Sequence, residues 1–230
     1  MSIDTHLAAA LVRLTLDLSG GDPALMEKTQ AIIADPPTTL EEVGFYGAED
    51  FPADERALRA VLFRLSQAGH ILGFEDKYVS EMIGALIQNG LVPENHGSEA
   101  LTTFTIDGDM DELVSDDDPV EAAERMAAQL PAATRALEAA VASKGQQILY
   151  VDLPVGDTLH YIFVSPEVAK TWKDVILYRT DDGPIAITGP QWMHFWEFLI
   201  ESADLEDDAP EPDLPPYPVE NLRSLKDAGF

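Results

Sequence analysis

The spacing of apolar residues changes near Gln146, and this change limits the folds that the chain can adopt. Before Gln146, apolar side chains recur three or four residues apart, as Leu7, Leu11 and Leu14 do, and this period is typical of amphipathic helices. After it, short runs rich in β-branched and aromatic residues alternate with turn residues, which indicates strands. We therefore expect an α+β fold, in which a helical N-terminal part packs with a small, mainly antiparallel sheet and its flanking helices.

Two pairs of predicted strands form the sheet. The first pair, Ile148–Leu153 and Thr158–Val164, flanks a short loop, and the second pair, Val175–Thr180 and Ile185–Thr188, flanks a turn. Strands so close in sequence pair as antiparallel hairpins. We expect two hairpins in one sheet, with helices covering one of its faces.

Helices are predicted over most of the first half of the chain. The helix from Asp54 to Ala68 has an apolar stripe, and Arg59 falls outside that stripe. The alanine-rich stretch before Gln146 is predicted as a pair of helices, because Pro131 interrupts it. Other helices are predicted at residues 1–20, 22–34, 76–89 and 166–174 and after residue 190, and short strands at 70–75 and 101–106.

The chain divides by composition into four segments. These are a mainly helical part (1–100), a strand with an acidic loop and the alanine-rich helix pair (101–145), an α+β part (146–202), and an acidic, proline-rich tail (203–230). We expect residues 1–202 to form one globular unit. Between Glu201 and Glu220 there are eight acidic residues and no basic ones, so the tail is expected to add charge but little core. A tether is expected at Tyr217–Leu225.

The charge and composition of the chain exclude several classes of function. It has 42 acidic and 14 basic side chains, which give a formal net charge of −28, and it has no cysteine. Nucleic acids and anionic membranes are bound through basic residues, so we expect neither as a partner. Without cysteine there is no disulfide, thiolate nucleophile or Cys-ligated zinc. The N-terminus has no signal-peptide pattern and no apolar run reaches about 18 residues, so a cytoplasmic location is expected.

A calcium-like pattern occurs in the acidic loop, residues 107–118, where seven of twelve residues are acidic. Asp107, Asp109, Asp111 and Asp118 stand at ligand positions of a twelve-residue calcium loop. The resemblance to an EF-hand loop fails at position six, where Glu112 replaces the glycine that the sharp turn requires. We expect only weak metal binding at these four residues, and we expect no cofactor.

Other patterns that resemble catalytic sites have simpler interpretations. His194 and Glu197 are spaced to chelate a metal, but no third ligand is paired with them, and an exposed ion pair explains them. Ser165 precedes a proline at a helix start, where it is expected to cap the helix. Asp157 and His160 lie in one hairpin, on different faces if the strand alternates regularly.

The aromatic residues near the C-terminus leave two interpretations open. Trp172, Trp192 and Trp196, with Phe195, either belong to the core or line a ligand groove. Aromatic side chains at helical spacing are more often core residues, and we favour that interpretation. The sequence does not decide between the two.

Three hypotheses for the function follow from the acidity. The first is a non-enzymatic interaction protein that captures a basic protein, as immunity proteins and other acidic inhibitors do, because complementary charge accelerates association. The second is an enzyme, a hydrolase, with its site between the helical and β-rich parts. The third is that the acidity reflects only a saline environment. We favour the first.

Overall fold

The structure, a computed structural model, describes residues 3–45, 47–75, 119–153, 158–193 and 211–230. Its helices in these ranges are α1 Thr5–Ser19, α2 Pro23–Ala34, α3 Leu40–Val43, α4 Ala53–Gln67, α5 Pro119–Ser143, α6 Pro166–Trp172 and α7 Leu225–Ala228. The strands are β1 Leu72–Glu75, β2 Gln147–Asp152, β3 Thr158–Val164, β4 Val175–Arg179 and β5 Pro184–Thr188. The helix predicted at 76–89 and the strand predicted at 101–106 lie outside the described residues.

The five strands form one antiparallel sheet in the order β1-β3-β2-β5-β4. The two predicted hairpins pair as expected, with Tyr150 opposite Tyr161 in the first and Ile176 opposite Ala186 in the second. Their central strands β2 and β5 join the hairpins into one sheet. The predicted α+β fold is therefore confirmed.

The first two helices begin at aspartate caps and end where their sequences predict. The Asp4 carboxylate accepts hydrogen bonds from the N–H groups of His6 and Leu7, and Asp22 caps α2 in the same way. Helix α1 ends at Gly20, which has the left-handed φ that glycine favours. Both helices pack with α4, so the three form the helical part of the fold.

The main core lies between this helical part and one face of the sheet. Leu11 and Leu58 are completely buried there, together with Ile162 of β3 and Trp172 of α6. Burial of a large apolar side chain contributes about 2 kcal/mol, so this shared core holds the helical and β-rich parts together.

The opposite face of the sheet is also covered, which corrects the expectation of helices on one face only. Tyr150 and Tyr161 are buried on this face, because strand alternation points them away from Leu149 and Ile162 of the main core. Trp192 stacks on Tyr161 and donates a hydrogen bond to Glu138 of α5. Helix α5 therefore packs on this second face.

The alanine-rich stretch forms one continuous helix, so the prediction of a helix pair is wrong. Pro131 lies inside α5, where its missing N–H removes one helical hydrogen bond. The stretch remains helical because its alanines favour a helix and because buried residues on both sides of the proline, among them Ala127, Leu130 and Leu137, hold one face in place.

The last residues of the chain contribute to the main core, contrary to the expectation of a tail with little core. Leu225, Ala228 and Phe230 pack against it, and the ring of Phe230 stacks on Trp172 with 4.6 Å between centroids. Ser224 caps the short helix α7 that presents these apolar side chains. The tether predicted at Tyr217–Leu225 is confirmed.

Part of this tether lies along β4, the outermost strand of the described sheet. The N–H of Arg223 donates to the carbonyl of Asp174 at 2.7 Å, and the carbonyl of Arg223 accepts from Ile176 at 2.8 Å. This parallel bridge satisfies backbone groups that an edge strand otherwise leaves unpaired.

Candidate functional site

The residues that the sequence singled out for metal chemistry lie outside the described ranges. These are the pair His194 and Glu197 and four residues of the acidic loop, Asp107, Asp109, Asp111 and Asp118. Asp157, which was paired with His160 as a possible catalytic group, also lies outside them. Within the part of the chain that the structure describes, no three histidine, aspartate or glutamate side chains come together as a metal site. The weak metal binding expected at the acidic loop stays a prediction.

Trp172 and Trp192, the two tryptophans that the structure describes, lie on different faces of the sheet. The indole N–H of Trp172 donates to the carboxylate of Asp17 at 2.8 Å inside the main core, whereas Trp192 lies on the second face of the sheet with Tyr161 and Glu138. Trp196 lies outside the described residues. A groove lined by Trp172 and Trp192 together is therefore not formed.

A cleft of about 420 Å³ lies between the helical and β-rich parts, the region where the enzyme hypothesis expects a site. Asp17, His70 and Ser165 border this cleft. Asp17 already accepts hydrogen bonds from Arg13 and Trp172. Ser165 accepts the N–H of Val168 as the cap of α6, as its sequence position predicts. Among the described residues, no hydrogen bond links the His70 imidazole to Asp17 or Ser165, so these three side chains do not form a hydrogen-bonded group here.

The densest exposed charge in the described ranges lies in residues 35–50, the acidic segment. It has no lysine or arginine, and its carboxylates are all exposed: Asp35, Glu41, Glu42, Glu49 and Asp50. The segment includes α3 and a short 3₁₀ turn before α4. It therefore presents a concentrated negative charge beside the helical part.

The acidic segment is fixed to α4 by close packing. Gly44 has a φ of 74° and lies against the ring of Phe63, where an added Cβ would come within 2.5 Å of Cδ2. Val43 and Ala48 are buried against Ala60 of α4. The carboxylates consequently stand on a backbone with a defined conformation.

A buried ion pair lies beneath the acidic segment. The guanidinium of Arg59 pairs with Glu55 at 2.8 Å, and these side chains are only 5% and 7% exposed. The same guanidinium lies 4.4 Å from the ring centroid of Phe45 and 5.1 Å from that of Phe51. Cation–π attraction therefore holds Phe45 of the segment, and Phe51 directly after it, on α4.

One donor of this arrangement is unused. Arg59 Nη1 is buried and has no hydrogen-bond acceptor among the described residues. The spacing of Glu55 and Arg59, four residues apart on a helix, is a signal for the ion pair. No local pattern indicates that the pair is buried, because Arg59 lies outside the apolar stripe and the residues that cover it precede the helix.

The negative field extends to the β-rich part. Burial raises the pKa of Tyr178 in β4, and the charges of Asp54, Glu55 and Asp181 raise it further. Each of these carboxylates favours the neutral phenol. Carboxylates at the start of α4 and after β4 therefore act together on the Tyr178 phenol.

Comparisons with known proteins assign no family to the chain. No protein-family model, curated protein or solved structure matches it. No helix in the described ranges is long and apolar enough to cross a membrane. Any functional assignment therefore rests on the residues themselves.

Proposed function

We propose that the chain is a non-enzymatic acidic protein that binds a basic protein, in the manner of an immunity protein or inhibitor. The observation that carries the proposal is the acidic segment. Its five carboxylates are exposed, its backbone is packed on α4, and residues 35–50 contain no lysine or arginine. A backbone that is already ordered loses little conformational entropy when a partner binds. The carboxylates on it attract a partner of opposite charge over several ångströms.

The proposal specifies a protein rather than a polyanion. A net charge of −28 repels nucleic acid and anionic lipid. This repulsion is strongest at low salt, because fewer ions screen it. A basic protein surface neutralises the charge instead. Such association is accelerated by the long-range field, and salt weakens it chiefly by slowing the association step.

The test is capture of basic proteins from lysate of the source cells at low salt, followed by association and dissociation kinetics at increasing salt. We expect a captured basic protein whose association rate falls steeply with salt while its dissociation rate changes little. Recovery of no basic protein, or of one whose association rate is independent of salt, would favour a purely environmental origin of the acidity.

A further inference from the structure

The acidic segment carries apolar side chains that the fold leaves partly accessible. Leu40 at the start of α3 is 38% exposed, and Phe45 and Phe51 are half-buried. Protein interfaces commonly have an apolar centre surrounded by a polar rim, and the centre contributes most of the affinity. The segment therefore combines a charged rim with apolar contact area, which charge attraction alone does not require.

The unused donor of Arg59 lies at the same place. Its guanidinium contacts both Phe45 and Phe51, and its buried Nη1 lacks an acceptor among the described residues. A buried charged donor without an acceptor is unfavourable, so the packing of the two rings on this guanidinium is not optimised for the isolated chain. This observation is independent of the carboxylates.

We infer that Leu40, Phe45, Phe51 and the surrounding carboxylates form a docking surface for a basic segment of another protein. This basic segment has one apolar side chain between lysines or arginines, and the apolar side chain packs on Leu40, Phe45 and Phe51 while the cations face the carboxylates. The inference rests on the proposed function and specifies where the basic partner binds and what it presents there. Charge complementarity selects this occupant, because a second copy of the chain would bring a second acidic segment against the first.

The experiment uses two synthetic peptides and the full chain. One peptide has a single leucine between lysines, and the other has serine in place of the leucine. The rim variant removes four charges through Glu41→Gln, Glu42→Gln, Glu49→Gln and Asp50→Asn. The matched control removes four exposed charges elsewhere through Glu124→Gln, Glu167→Gln, Asp181→Asn and Asp182→Asn. A third variant, Leu40→Ser, changes only the apolar centre.

We expect the wild-type chain to bind the leucine peptide more tightly than the serine peptide. The rim variant should weaken both peptides by about tenfold, because four pairs of opposite charge are lost, and the matched control by less than about threefold. Leu40→Ser should remove the preference for leucine and leave the serine peptide unaffected. Unfolding midpoints of all variants should stay close to that of the wild type, because the altered side chains are exposed.

Two outcomes would overturn this inference while leaving the proposed function intact. One is that the matched control weakens binding as much as the rim variant does. The other is that Leu40→Ser keeps the preference for leucine. If the wild-type chain binds neither peptide at low salt, the docking surface is overturned, whereas the proposed function is decided by the capture experiment. A dimer of the chain that Leu40→Ser dissociates would assign the surface to a second copy and also overturn the inference.

Discussion

The phenol of Tyr217 donates a hydrogen bond to the carboxylate of Asp174, although the two residues are 43 positions apart in sequence. The same phenol oxygen accepts the N–H of Gly189 at 2.6 Å. Asp174 has a φ of 66°, a left-handed conformation that costs a non-glycine residue about 1 kcal/mol. Tyr217 thus joins the C-terminal residues to the strained turn before β4 and to the end of β5.

This hydrogen bond predicts how stability depends on alkaline pH. Burial first, and then the bond to Asp174, raise the pKa of Tyr217. The folded state therefore holds the phenolic proton more tightly than the unfolded state. The contribution of the protonated Tyr217 phenol to stability is complete below about pH 10, the pKa of this phenol in the unfolded state. This contribution is lost as the pH rises above that value.

We expect the free energy of unfolding to fall above pH ~10, and Tyr217→Phe to make this fall less steep. At neutral pH the same variant should be destabilised by about 1 kcal/mol, because the hydrogen bonds to Asp174 and Gly189 are lost. Urea unfolding of both proteins over a pH series measures the two effects. Parallel pH profiles would contradict the assignment to Tyr217.

The buried ion pair of Glu55 and Arg59 predicts that removing one of its two charges lowers the free energy of unfolding strongly. Glu55→Gln leaves the Arg59 guanidinium buried without a counter-charge, and we expect a loss of about 3 kcal/mol in the free energy of unfolding. The double variant Glu55→Leu with Arg59→Met removes both charges and should cost less than the single change. Exposed Glu41→Gln is the control and should change stability by less than about 0.5 kcal/mol. A Glu55→Gln protein as stable as this control would contradict the prediction.

The stacking of Phe230 on Trp172 predicts that the end of the chain is needed for stability. Phe230→Ala should lower the free energy of unfolding by about 2 kcal/mol, since a partly buried aromatic ring is lost. Val219→Ala is the matched control, because Val219 is 65% exposed and its change should cost less than about 0.5 kcal/mol. Equal urea midpoints for the two variants would show that the contact is not stabilising.

The proline inside α5 predicts a stabilising substitution. Pro131→Ala restores an N–H to the helix and removes the clash of the ring with the preceding turn, so we expect a gain of about 1 to 3 kcal/mol. Ala139→Gly at an exposed position of the same helix should instead cost about 1 kcal/mol. Thermal unfolding of the three proteins gives the order directly. A Pro131→Ala protein less stable than the wild type would mean that the proline fits its packing environment better than alanine does.

Local patterns were sufficient to predict the hairpins and most helices of the described ranges. Two short runs of apolar, largely β-branched residues around a turn specify β4 and β5 from about fifteen residues, because both partners of each hydrogen bond are close in sequence. The caps at Asp22 and Ser165 are local in the same sense. Such features need no knowledge of the tertiary fold.

Contacts between residues that are far apart in the sequence could not be predicted from local patterns. Arg59 is buried because Phe45 and Phe51 cover it. The helical period of α4 puts Arg59 outside the apolar stripe, so this period predicts an exposed side chain. Phe230 is drawn into the core by Trp172, a partner far away in the sequence. The run of five carboxylates in residues 35–50 is visible in the sequence, but its attachment to α4 through Gly44 and Val43 is not, because those contacts join residues about 20 positions apart.

The bridge between Arg223 and β4 also bears on how the chain is made in the cell. Arg223 lies about 50 residues after the turn that it contacts, so a ribosome completes β4 well before it releases the residue that covers it. During that interval the outer strand exposes backbone groups that pair readily with the same strand of a neighbouring nascent chain. We therefore expect any chain in which Arg223 does not yet cover β4 to be more prone to pairing with other chains through this strand.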